Sequence, residues 1–221
     1  MIIEICATSI ESLINAQNAG ANRIELCENY LVGGVTPSKN FTKKALINST
    51  LPINILIRPR EGNFIYTKKE INKMKKDIEY FKGLNIKGFV VGMMNKDCIL
   101  IPDLIKEFRE ITYGFELTFH RAFDLLKNKT DSLECLIDNG FDRILCSGHS
   151  KSALIGIKNL LKYKDQSDNR IAIMPGGGIN PYNFKKFKSL NFSDIHLSAI
   201  NMEISPHSNF DIIKQIVDRS E

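Results

Sequence analysis

Asn18-Ala19-Gly20-Ala21-Asn22-Arg23-Ile24-Glu25-Leu26-Cys27 is echoed by Asp138-Asn139-Gly140-Phe141-Asp142-Arg143-Ile144-Leu145-Cys146. Each copy runs from an amphipathic segment through a glycine into Arg-Ile and a β-rich run. A glycine there reads as the left-handed residue that ends a helix, so the echo marks a repeated helix–turn–strand joint. Outward from it, β-rich runs recur at Ile2–Ala7, Arg23–Glu28, Asn54–Arg60, Gly88–Met94, Glu116–Phe123, Arg143–Gly148, Arg170–Gly176 and Asp194–Ala199. Helical patterns lie between them. Thr67-Lys68-Lys69-Glu70 is a capping box. Thr36-Pro37 and Asn180-Pro181 each read as an N-cap followed by proline at the first helical position. Eight alternating β and α units call for a parallel sheet, and closure predicts an α/β fold, a single-domain (β/α)8 TIM barrel over residues 1–221. The echoed joints fall at the second and sixth strands, as a half-barrel repeat would place them. An open, doubly wound sheet is the competing architecture.

Composition narrows the class of protein. Hydrophobic residues make up 43% and charged residues 25%, ordinary values for a soluble domain. No apolar stretch approaches the ~20 residues that span a bilayer, and Met1-Ile2-Ile3-Glu4 has no basic leader region. A cytoplasmic protein without membrane association is the expectation. The net charge is +5, but the lysines fall in helical runs such as Lys73-Met74-Lys75-Lys76, a solvated face rather than a nucleic-acid surface. Five cysteines, Cys6, Cys27, Cys98, Cys135 and Cys146, are widely spaced without a CxxC pair. That pattern speaks for reduced thiols and against a disulfide framework or a closed zinc site.

The strand faces are unusual. Residues two apart share a face, and barrel interiors normally fill with Val, Ile and Leu. Here one face carries Glu4 and Cys6, then Glu25 and Cys27, Arg58 and Arg60, then Glu116, Thr118, His120 and Asp124, and finally His196 and Ser198. Arg121 falls on the opposite face. Ile3/Ile5, Ile24/Leu26 and Ile195/Leu197 make the other faces apolar, so the polar set is expected inside the barrel. A buried carboxylate without a partner is expensive, so carboxylates and guanidiniums of adjacent strands should pair.

Two readings of this interior stand at this point, a satisfied polar core and a functional site at the strand C-termini. Two cysteines in phase on neighbouring strands bring two thiolates within reach of one soft ion such as Cu(I); buried cysteine also serves as a small hydrophobe.

After the seventh strand comes Met174-Pro175-Gly176-Gly177-Gly178-Ile179-Asn180-Pro181. Glycines there let backbone amides approach an anion, with Ser147 and Ser198 as further donors. In an enzyme built on this arrangement, Gly176, Gly177, Gly178, Ser147, Ser198 and His196 would hold a phosphorylated or carboxylated metabolite, clamped by Arg58 and Arg60. His120, oriented by Asp124 or by Glu4 or Glu25, would be the general acid/base. No GxSxG elbow, GxGxxG or Walker loop is present.

Taken in order, Glu4-Ile5-Cys6, Gly20 to Cys27, Gly33-Gly34-Val35-Thr36-Pro37-Ser38, Ile57-Arg58-Pro59-Arg60, Thr118 to Asp124, Gly140 to Leu145, Met174 to Pro181 and His196-Leu197-Ser198-Ala199 resemble the CutC family, named for copper homeostasis. The resemblance implies a cytoplasmic, homo-oligomeric TIM barrel (dimer or tetramer) associated with copper. It makes Cys6 and Cys27 the candidate Cu(I) ligands. Two departures stand out. Cys146-Ser147-Gly148-His149 replaces the Thr-Ser-Gly-Gly common in relatives, and residues 200–209 are shorter than the basic insertion many relatives carry.

Overall fold

Ile3, Ile5, Ile24, Leu26, Ile195 and Leu197 are all buried. Strand alternation sends them outward beneath the helices and turns their neighbours inward. The computed structural model describes residues 1–149, 151–203 and 205–220. Its strands are β1 (Ile2–Ala7), β2 (Arg23–Leu26), β3 (Ile53–Leu56), β4 (Gly88–Val91), β5 (Glu116–Phe119), β6 (Arg143–Cys146), β7 (Ala172–Pro175) and β8 (Asp194–Leu197), followed by the short β9 (Ile200–Asn201) and β10 (Ser205–Ser208). Between and after them lie α1 (Ile10–Asn18), α2 (Lys39–Asn48), α3 (Lys68–Lys82), α4 (Pro102–Ile111), α5 (Lys129–Asp138), α6 (Ile157–Ser167), α7 (Phe184–Ser189) and α8 (Phe210–Val217).

The eight long-range strands form one sheet in the order β7-β6-β5-β4-β3-β2-β1-β8. A bridge between Gly176 and His196 brings β7 to β8 and closes the ring, so the barrel replaces the open sheet. Every expected strand forms, but seven of the eight ladders end early because the chain splays into the loops of the barrel mouth. Gly20 (φ +89°) and Gly140 (φ +67°) are left-handed at the helix ends, as the echo requires.

The Thr67–Glu70 capping box forms. The two proline starts do not. Ser38, not Thr36, caps α2, accepting from the Phe41 amide at 3.2 Å, while Thr36 Oγ1 bridges the backbone of Arg58. After the glycine loop, Asn180 and Asn183 stitch a turn through the Tyr182 and Asn180 amides, and α7 begins only at Phe184. Proline's fixed φ suits a turn as well as a first helical position.

The segment after Ala199 folds back as an antiparallel β9–β10 pair, which sequence reading leaves without structure. Ser208 holds it to α1, its amide donating to Ser12 Oγ and its carbonyl accepting from Asn15, both at 2.9 Å. Among the described residues no helix is long and apolar enough to cross a membrane.

Candidate functional site

The polar interior divides into two layers that behave differently. In the lower one, Glu4 is fully buried and accepts from Arg23 Nε at 2.5 Å, while Arg23 Nη2 donates to Asp194 at 2.8 Å. Arg143 pairs with Glu116 across β5 and β6. Gly88 makes room for this layer, since a Cβ there would lie 2.4 Å from the Glu116 carbonyl oxygen. Burial alone would raise the Glu4 carboxyl; Arg23 and a bond to His196 outweigh it and hold it down at about 2. This layer is an ionic core in which each guanidinium has a carboxylate partner. Sequence reading missed Arg23 and Arg143 as partners, although Arg23 shares the parity of Glu25 and Cys27.

The upper layer opens toward the C-terminal ends of the strands. Register pairs Cys6 with Glu25, and Cys27 lies just past β2 with its amide donating to Ala7 O at 3.2 Å. The two sulfurs are 3.3 Å apart. Gly34 (φ +80°) allows this: a Cβ there would sit 3.1 Å from Cys27 Sγ and 2.9 Å from Leu56 Cδ2. His196 Nδ1 lies 2.8 Å from Glu4 Oε1. One atom each of Cys6, Glu25 and His196 falls within 4.8 Å of the others, a spacing compatible with one metal ion. The hydrogen bond shared with Cys27, then burial, pushes the Cys6 thiol well up. Burial raises the Glu25 carboxyl to about 7. Burial opposes protonation of His196, but Glu25, Cys6 and Glu4 outweigh it and raise its pKa.

Above this cluster is a cavity of about 810 Å³ whose walls include Glu25, Arg58, His120, Arg121, Gly177 and His196. His120 Nδ1 accepts from the Ala122 amide at 3.1 Å, so the proton sits on Nε2. Burial, then Arg58, depresses its pKa to about 3 and keeps the ring neutral. Gly92 lets the ring lie against β4, since a Cβ there would come within 2.3 Å of it.

Several expected placements change. Asp124 does not orient His120; it accepts from the Ser147 amide at 2.9 Å, from Ser147 Oγ at 2.8 Å and from Arg121 Nε at 3.1 Å. The cause is local. The β5 ladder ends at Phe119, and Arg121–Leu125 winds into a 3-10 turn, so strand alternation stops before Asp124. The same turn swings Arg121 to the cavity rim, its Nη1 3.4 Å from where a Gly177 Cβ would sit.

Arg60 leaves the site altogether, binding Glu70 at 2.5 Å and the carbonyls of Glu61, Asn63 and Ile65. Arg58 lines the cavity but donates to the Val32, Gly34 and Gly62 carbonyls at 2.6–2.8 Å. Gly176 closes the barrel, whereas Gly177 (φ +100°) and Gly178 (φ +76°) face the cavity. Ser147 is buried against Asp124 and Arg121. Ser198 sits on the rim, 3.2 Å from the Tyr30 hydroxyl.

The CutC family profile matches residues 1–201. A family protein CutC of Pasteurella multocida (strain Pm70) is 40% identical over 206 residues, covering 93% of this chain and 84% of that one. A copper homeostasis protein cutC homolog of Homo sapiens is 37% identical over 199 residues, covering 90% of this chain and 73% of that one. The crystal structure of a CutC protein from Streptococcus agalactiae superposes with a TM-score of 0.84 at 31% identity, over 90% of this chain and 98% of that one.

Proposed function

The chain belongs to the CutC family, and on that premise we propose that it binds Cu(I) at the barrel mouth through Cys6 and Cys27 in the service of copper homeostasis. The observation that carries this reading is the 3.3 Å approach of the two sulfurs, with His196 and Glu25 atoms close by. Cu(I) is soft and favours thiolates, and imidazole also suits copper. Glu4 fixes the His196 ring through Nδ1, which leaves Nε2 for the metal, the kind of outer-shell support that metal-binding histidines use. Binding must displace thiol protons, so apparent affinity should rise with pH. Reduced thiols fit a cytoplasmic setting.

The test is a titration of the reduced protein with Cu(I) against a chromophoric competitor. About one ion per chain should bind, and the Cys6→Ser/Cys27→Ser double variant should lose it while circular dichroism reports an intact fold. Undiminished tight binding by that variant would sink the proposal.

A further inference from the structure

We propose that the barrel mouth also binds a small organic anion bearing hydroxyl or carbonyl groups, with its anionic group at Arg121, Gly177 and Gly178 and its polar body between Glu25 and His120. The cavity is about 810 Å³, the scale of a small-molecule site rather than of a lone ion.

Three of the seven buried side-chain polar atoms without a hydrogen-bond partner among the described residues belong to residues of its walls. Glu25 Oε2, His120 Nε2 and Arg58 Nε are all buried without a hydrogen-bond partner, and all three residues line this cavity. Buried polar groups are normally paired, so wall residues that leave such atoms unpaired favour a polar occupant to which small side-chain rotations would present them. Glu25 stands on β2 and His120 just after β5, three strands apart around the ring. His120 is neutral and its Nε2–H donates, fitting a carbonyl or hydroxyl oxygen; Glu25 Oε2 can accept from a hydroxyl. A molecule satisfying both carries several oxygens.

The third wall selects charge. Arg121 Nη1 lies beside Gly177, and Lys151 lines the same cavity. Gly177 and Gly178 are consecutive and left-handed, and among the described residues their amides donate to no acceptor. Such backbone turns make concave seats for anions, and guanidinium is suited to planar recognition of carboxylate or phosphate.

The thiols play no part in this site, so it does not rest on the copper reading; Glu25 is the one residue both would use. The experiment therefore uses reduced, chelator-treated protein. Calorimetry is run with ribose 5-phosphate and with glycerate, which distinguish a phosphate from a carboxylate as the anion, and with inorganic phosphate alone. Ribose 5-phosphate or glycerate should bind, at least about tenfold more weakly in Arg121→Gln and in His120→Phe. Binding should be unchanged in Arg60→Gln, which removes an equal charge outside the cavity. If His120→Phe fails to fold, the rim variant Arg121→Gln carries the test alone. Three results would overturn the proposal: neither compound binds, binding persists in Arg121→Gln, or inorganic phosphate binds as tightly as ribose 5-phosphate.

Discussion

Glu4 and His196, on adjacent strands β1 and β8, are joined inside the barrel with Oε1 and Nδ1 2.8 Å apart. The other oxygen of the same carboxylate holds Arg23. One fully buried side chain thus ties the ionic floor of the barrel to the ring that faces its mouth.

Replacing Glu4 by alanine should be among the most damaging single changes. It strips Arg23 of one of its two anionic partners and His196 of its anchor. Removing one member of a buried ion pair costs about 3–5 kcal/mol, readable as a lowered urea midpoint. Glu4→Gln, which keeps the shape and one acceptor, should cost less.

Gly34→Ala should disturb the cysteine pair without touching either cysteine. The new methyl would collide with Leu56 and press on Cys27 Sγ at a left-handed position. We expect a loss of about 1–3 kcal/mol and weakened Cu(I) retention in the competitor titration. Full retention would mean that the thiol spacing tolerates change.

His120 sets a pH dependence. Its pKa falls from 6.5 to about 3 in the folded chain, so the unfolded chain binds the proton more readily. Stability from this group is fully present above pH 6.5 and is lost as pH falls toward 3. Between pH 6.5 and 4.5, wild type should lose stability relative to His120→Gln by up to ~1.4 kcal/mol per pH unit. Chemical denaturation at several pH values measures the difference; parallel curves for the two proteins would contradict it.

Arg58→Lys should loosen the mouth. A lysine cannot reproduce the forked donation to Val32, Gly34 and Gly62. The expected cost is about 2–3 kcal/mol, together with faster proteolysis in the loop of residues 29–35.

The barrel was legible because its signals are local. Gly20 and Gly140 end helices wherever they occur, and Ile3/Ile5 or Ile24/Leu26 announce an outward face by period alone. Alternation also placed Glu4, Cys6, Glu25, His120 and His196 inside correctly, since each lies on a ladder or within one residue of its end. It failed where the ladder had already stopped. Asp124, Arg121 and Arg60 lie beyond the last paired residues of β5 and β3, where turn geometry rather than period two aims the side chain. The split of the polar interior into an ion-paired floor and an upper layer that lines the cavity was not readable either. It depends on which guanidinium reaches which carboxylate, and Arg23 finds Glu4 and Asp194 only because β2, β1 and β8 are neighbours in space.

Gly176 and His196 carry one last consequence. Every other pair of neighbouring strands is zipped by a ladder, but β7 meets β8 at a single bridge between these two residues. This is the seam of the barrel, where opening should cost least and amide exchange should run fastest among the strands. His196 sits on that seam, its Nδ1 bonded to Glu4 and its side chain among those that line the mouth cavity. A ligand held by His196 would fasten the ring at this seam, so under the proposed copper binding the loaded barrel would be the latched one and the empty barrel would breathe along one stave.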